Sequence, residues 1–200
     1  MRLLYAGAAA GLLFCGVAGL GETVGDCDHA IEAPLRSRAA LVIDSRPAGV
    51  EVVGTDAEVI RVSCTVNHEV NPQDIELRLS GTPGYGRLTV KGGGAAHNEN
   101  LEIRIEVPRR MNLRLHMGAG QVKVDGVAGD KDIDLYAGQI VISTGSGSYK
   151  SVDASVDIGE VNASAYGVEK GGFFRSFTKT TADGEYRLRA HVLTGQIDLE

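Results

Sequence analysis

The chain has 200 residues, 27 of them glycine, and a net charge of −6. This length suffices for one domain. The acidic balance argues against a nucleic-acid partner, because such a partner calls for a basic face.

The N-terminus has the pattern of a secretory signal peptide. Arg2 supplies a short positive region, residues 3–20 are apolar and uncharged, and small residues between 16 and 21 offer cleavage sites. The alternative is a retained membrane helix, but the run is at the lower limit for spanning a bilayer. We therefore expect residues 1–20 to be a signal peptide and the mature chain, without a transmembrane helix, to be exported to the periplasm or cell surface.

Two cysteines remain once the signal peptide is removed. Cys15 leaves with the signal, and Phe14 before it is too large for a lipidation site. Cys27 and Cys64 form an even pair, which in an oxidising compartment predicts a disulfide bond. The alternatives are two free buried thiols or a zinc site, although no Cys-x-x-Cys spacing accompanies them.

The rest of the sequence predicts strands and almost no helix. Residues 21–40 lack periodicity and are interpreted as an N-terminal cap segment. From Leu41 onward the signals are β, and Leu101–Val107 alternates most clearly between apolar and charged residues before Pro108. We expect residues 41–200 to form a single all-β domain.

A short phrase repeats four times in the second half of the chain. Each copy has a glycine, then Gln or Glu, then alternating apolar residues, with an apolar stretch before the glycine. Such a repeat cannot bury its apolar positions alone, so the copies should stack as a β-solenoid or β-roll continuous with an N-terminal β lobe. The expected turn glycines, which reach backbone angles that side chains forbid, are Gly120, Gly138, Gly159 and Gly195.

These residues carry a resemblance to a known family. Val107-Pro108 leading into Asn112-Leu113-Arg114-Leu115, the Gly-Gln/Glu repeats, and Ala48–Val52 followed by Ile60–Val62 resemble the bacterial putative-adhesin family. The resemblance covers about residues 40–200 and implies an exported or envelope protein of β-solenoid or β-roll form without catalytic residues. Family members more often carry Ser before the repeat glycine, whereas this chain has Ala119, Ala137, Ile158 and Thr194 there.

No catalytic or metal motif emerges from the sequence. A Gly-x-Ser-x-Gly nucleophile elbow is absent. His116 and His191 occupy equivalent repeat positions and would converge as metal ligands only if their repeats touched, so we favour surface histidines that repeat with their unit. The acidic residues between 125 and 157 alternate outward, which favours a solvated face over a calcium site. We expect no metal and no cofactor.

One segment is a candidate for binding. All phenylalanines of the mature chain lie between 173 and 177, interleaved with cations and without an acid between 169 and 183. Exposed aromatics among cations suit an anionic glycan, a lipid head-group or a protein groove. The alternative, which we favour for at least two of the phenylalanines, is that they cover the core. The candidate binding segment comprises Lys170, Phe173, Phe174, Arg175, Phe177 and Lys179.

Two classes of function follow. The favoured one is a non-enzymatic, adhesin-like envelope or surface protein that binds or scaffolds through its repeat faces, with an envelope protein or a glycan as partner. The alternative is a glycan-active enzyme on a β-solenoid face, which needs two carboxylates about 5–10 Å apart in a cleft.

Overall fold

The computed structural model describes residues 20–46, 48–66, 71–92, 101–146 and 148–200, and most of the expected signal peptide lies outside them. The described residues form thirteen strands in one sheet and three short 3-10 turns, so the all-β prediction is confirmed. The strands are β1 (Leu20–Gly25), β2 (Ile31–Pro34), β3 (Ala40–Ser45), β4 (Ala48–Thr55), β5 (Val59–Val66), β6 (Glu76–Thr82), β7 (Tyr85–Lys91), β8 (Leu101–Pro108), β9 (Asn112–Asp125), β10 (Lys131–Ile142), β11 (Tyr149–Ala163), β12 (Val168–Thr180) and β13 (Tyr186–Leu199). The 3-10 turns are Pro72–Asp74, Thr144–Ser146 and Ser164–Tyr166.

Strand β9 joins two halves of the sheet. Its first half pairs in parallel with β3, from Ala40 opposite Asn112, and its second half pairs in parallel with β4, from Ala48 opposite Gly120. β7 continues the sheet beyond β3, and β8 continues it beyond β4, again in parallel. The two short strands β3 and β4 together therefore match one long strand.

The four sequence repeats lie side by side in register. β9, β10, β13 and β11 are consecutive neighbours in the sheet, and every pair among these neighbours is parallel. The last repeat, β13, thus lies between the second and third repeats instead of following them. The segment between the third and fourth repeats forms β12, which pairs antiparallel with the outer side of β11.

Each long strand bends around a shared core. In β9, Leu115 and Met117 are buried before the glycine and Val122 is buried after it, whereas the four residues 118–121 between them are not buried. All three buried side chains belong to one hydrophobic cluster. The strand therefore turns at residues 118–121, and we call this stretch and its equivalents 136–139, 193–196 and 157–160 the bend.

The repeat glycines lie in register within the bend. Gly120, Gly138, Gly195 and Gly159 have φ of 122°, 131°, 147° and 141°. A Cβ on Gly138 would lie 1.9 Å from the carbonyl oxygen of Gly120, so both the backbone angle and the close strand contact require glycine. A single long strand continues through each repeat glycine, because the neighbouring strands bend at the same place. A closed solenoid or roll remains a prediction.

A disulfide ties the N-terminal strands to the sheet. The sulfurs of Cys27 and Cys64 lie 1.91 Å apart, which joins the β1–β2 connection to β5 as the cysteine count predicted. β1 pairs with β6, and β2 pairs with β5. The cap segment thus contains two strands that its sequence pattern did not predict. These strands form by pairing with β6 and β5, which are distant in sequence.

Candidate functional site

The in-register repeats place four polar side chains in one line on the outer surface. Asp44 on β3 pairs with His116 on β9, His116 pairs with Asp134 on β10, and Asp134 pairs with His191 on β13. Adjacent strands are about 4.8 Å apart, so equivalent residues form a regular line across the strands. We call Asp44, His116, Asp134 and His191 the outer row.

The carboxylate of Asp134 lies between the two histidines. Its Oδ2 is 3.5 Å from His116 Nδ1, and its Oδ1 is 3.8 Å from His191 Nδ1. The other ring nitrogen of His191, Nε2, is 3.6 Å from Asp157 Oδ1. The repeats that carry the two histidines therefore do not touch, since β10 separates them. In the part of the chain that the structure describes, no group of three or more His, Cys, Asp or Glu side chains could hold a metal ion.

Two arginines hydrogen-bond the carboxylates of the outer row. Arg189 donates to Asp132 over 2.9 Å and to Asp134 over 3.3 Å. The hydrogen bond with Asp132, followed by the charge of Asp134, raises the pKa of Arg189 above its ordinary value. Asp44 accepts a hydrogen bond of 2.5 Å from Arg87. The two carboxylates of the outer row are thus partly neutralised and held in place by guanidinium groups.

A shallow groove of about 580 Å³ runs along the outer row where the strands enter the bend. Next to the outer row, Tyr136 and Leu193 line the groove two residues further along β10 and β13, and Gly118 at the same position of β9 leaves space beside them. Tyr136 is 67% exposed, which is unusual for a large aromatic side chain. The groove therefore combines imidazoles, carboxylates and one exposed aromatic ring.

Exposed apolar side chains continue along the bend. Tyr136 on β10, Ile158 on β11 and Phe173 on β12 are among the exposed large apolar side chains, and Ile158 is the direct partner of Phe173. Leu193 on β13, which lies between β10 and β11, lines the groove. Tyr136 and Leu193 thus give the bend an apolar surface beside the polar outer row, while Ile158 and Phe173 form a separate exposed apolar pair near the edge of the sheet.

The candidate binding segment is strand β12, and its phenylalanines have different environments. Phe177 is 7% exposed and stacks on Tyr166, with ring centroids 5.2 Å apart, whereas Phe173 is 68% exposed. The ammonium of Lys179 lies 4.4 Å from the centroid of the Tyr166 ring. The core interpretation, which needs two of the three phenylalanines, thus holds for Phe177, does not hold for Phe173 and otherwise rests on Phe174. Arg175 is exposed, and the side chains of Phe174 and Lys170 lie outside the described part.

The glutamines that follow the repeat glycines form a second polar line. Gln121 donates to Gln139 over 3.1 Å, and Gln139 donates to Asp198 over 2.6 Å. Gln196 also donates to Asp198, over 2.7 Å. Asp198 is 7% exposed, so these amides satisfy a buried carboxylate and join three neighbouring strands. This line stabilises the sheet on the side of the bend away from the groove.

Two groove residues were not singled out from the sequence. Asp44 lies outside the repeats, and its place in the outer row depends on the pairing of β3 with β9. Tyr136 could have been noticed, because it is the one aromatic residue two positions before a repeat glycine, where the other copies have Gly118, Asp157 and Leu193.

Comparison with known proteins gives one distant likeness. No protein-family model matches the chain, and no curated protein matches it. A crystal structure of a putative cell adhesion protein from Clostridium sporogenes is similar over 86% of this chain and 98% of that one, with 12% sequence identity and a TM-score of 0.46.

Within the described ranges, no helix has the length and apolar character needed to cross a membrane.

Proposed function

We propose that this protein is an exported, non-enzymatic binding module of the cell envelope or cell surface. Its bent, stacked strands act as a β-roll scaffold that presents ligand-binding side chains on the outside. The observation that carries the proposal is the groove, in which an exposed Tyr136 lies beside the row formed by His116, Asp134 and His191 on three neighbouring strands. Exposed aromatic groups beside fixed polar groups are the usual anchors of a binding surface.

Export is supported by two independent features. The apolar segment 3–20 after Arg2 has the pattern of a signal peptide. Cys27 and Cys64 are disulfide-bonded, and such bonds persist in oxidising compartments. Both features suit the periplasm or the cell surface.

A binding role is favoured over a glycan-active enzyme by the state of the groove carboxylates. Asp44 is hydrogen-bonded to Arg87, and Asp134 is hydrogen-bonded to Arg189. Glycoside hydrolysis needs one protonated carboxyl group as general acid. Both carboxylates are instead engaged by arginines in a shallow, open groove, so we propose binding and no catalysis here.

Cell fractionation followed by a retention assay tests this function. The full chain, expressed in its own organism, should be recovered from the periplasm or surface with a mature N-terminus near residue 21. The purified mature protein should sediment with the envelope fraction, and Tyr136→Ala should reduce the retained fraction severalfold. Val24→Ala is the control, because Val24 is 55% exposed and lies on β1, away from the groove. Recovery from the cytoplasm, or equal retention of all three proteins, would contradict the proposal.

A further inference from the structure

We propose that the groove beside the outer row binds a neutral glycan of the envelope. This inference rests on the proposed binding function and names the ligand class of that same site.

The outer row offers hydrogen-bonding groups that alternate along the groove. Asp44 and Asp134 carry acceptor oxygens, while the ring nitrogens of His116 and His191 between them supply N–H donors. A sugar hydroxyl is both a donor and an acceptor, so neighbouring hydroxyls of a glycan can meet carboxylate and imidazole in turn. The row crosses the strands, with about 4.8 Å between successive groups, and therefore suits an extended ligand.

The wall of the groove next to the outer row offers an apolar surface. Tyr136 is 67% exposed, and Leu193 lies beside it in the groove. A tyrosine ring gives a large, amphipathic contact area at small entropic cost, because only two side-chain torsions are fixed. The C–H face of a sugar ring can lie on this wall while its hydroxyls point toward the outer row.

The charges around the groove disfavour an anionic ligand. Asp134 and Asp157 lie within 3.8 Å and 3.6 Å of the ring nitrogens of His191. The guanidinium groups of Arg87 and Arg189 already pair with Asp44 and Asp134. A uronate or phosphate in the groove would therefore meet carboxylates without a free cation among the described lining residues.

The backbone around the groove disfavours an extended peptide. β3, β9, β10 and β13 each have neighbouring strands on both sides, so their edges are not open to strand addition. A peptide would have to bind through side chains alone in a shallow groove with one aromatic anchor. A glycan needs no backbone pairing.

Chemical treatment of the envelope fraction separates the two partner classes. Periodate cleaves the carbon–carbon bonds of vicinal diols in glycans, whereas a protease removes proteins. We expect retention of the mature protein to survive protease treatment and to fall at least fivefold after periodate treatment. Retention that survives periodate but is lost after protease would overturn the glycan assignment and leave the binding function intact. No retention on untreated envelope would contradict the binding function itself.

Competition and variants then locate and define the ligand. Polysaccharide released from the envelope is divided by anion exchange into neutral and acidic fractions, and only the neutral fraction should compete for retention. Tyr136→Ala should weaken binding at least about tenfold, Tyr136→Phe should retain it, and Val24→Ala should equal wild type. Competition by the acidic fraction alone, or unchanged binding by Tyr136→Ala, would overturn the proposal.

Discussion

At the scale of single residues, Lys131 departs most from the repeat pattern. In the sheet it is directly opposite Leu113 and Leu188 of the neighbouring repeats. Lys131 is 2% exposed, and its ammonium donates to the carbonyl of Val127 over 2.7 Å and to the hydroxyl of Tyr149 over 2.5 Å. A lysine therefore occupies an aliphatic core position, with its charge satisfied locally.

Burial of Lys131 makes stability depend on pH. Desolvation of the buried ammonium lowers the pKa of Lys131 from its ordinary value of 10.5 to about 8. The nearby charge of Asp130 raises this pKa, but by a smaller amount. Burial of the charged ammonium lowers the free energy of unfolding, and this cost is paid in full below about pH 8. It disappears as pH rises toward 10.5, where the ammonium loses its proton in the unfolded chain as well. The cost corresponds to roughly 3 kcal/mol.

Lys131→Met removes this titration. Relative to the variant, wild type should gain about 2–3 kcal/mol of unfolding free energy between pH 7 and pH 10. Urea unfolding of both proteins at the two pH values measures this change, and groups common to both cancel in the difference. An equal difference at pH 7 and pH 10 would mean that Lys131 is hydrated.

Substitution of a single repeat glycine tests the backbone geometry of the bend. Gly138→Ala would force a side chain to adopt a φ of 131° with its Cβ 1.9 Å from a neighbouring carbonyl oxygen. We expect a loss of at least about 2–3 kcal/mol. Gly84→Ala is the matched control, because a Cβ there meets nothing within 4 Å. Thermal unfolding of both variants measures the effect, and equal melting temperatures would contradict the close strand contact.

At the scale of elements, β12 is both an edge strand and a cover for the core. Its partner β11 carries Val152, Val156 and Val161 toward the core, and opposite them β12 has Lys179, Arg175 and Lys170. Cations on an edge strand disfavour pairing with another chain. The interleaving of cations and phenylalanines thus has a structural explanation, in which the cations protect the edge and Phe177 completes the core.

The two described phenylalanine side chains of β12 should differ in their contribution to stability. Phe177→Ala removes a buried ring and should cost about 3–5 kcal/mol. Phe173→Ala removes an exposed ring and should change stability by less than about 0.5 kcal/mol. Denaturant unfolding of the two variants measures both values. Similar losses for both would show that Phe173 also packs against the core.

At the scale of the whole molecule, the sequence predicted where strands form but not which strands are neighbours in the sheet. The alternation in β8 and the glycine repeats of β9, β11 and β13 predicted strands and their mutual register, because burial on one face imposes a period of two. The order of the repeats was not readable, since similar strands satisfy one another's pairing equally well. β1, β2 and the groove depend on contacts distant in sequence, such as Asp44 beside His116.

The central claim is that the last repeat lies between the second and the third in the sheet. The outer row is therefore built from strands that are not consecutive in sequence. Cysteines introduced at Gln139 and Gln196, which are direct partners on β10 and β13, should be joined rapidly by a short bifunctional thiol reagent. Cysteines at Gln139 and Glu160 lie two strands apart, so they should not be joined. Mass spectrometry of peptides from the two double variants measures the yields. Efficient joining of 139 to 160 without joining of 139 to 196 would place the repeats in chain order and contradict the account.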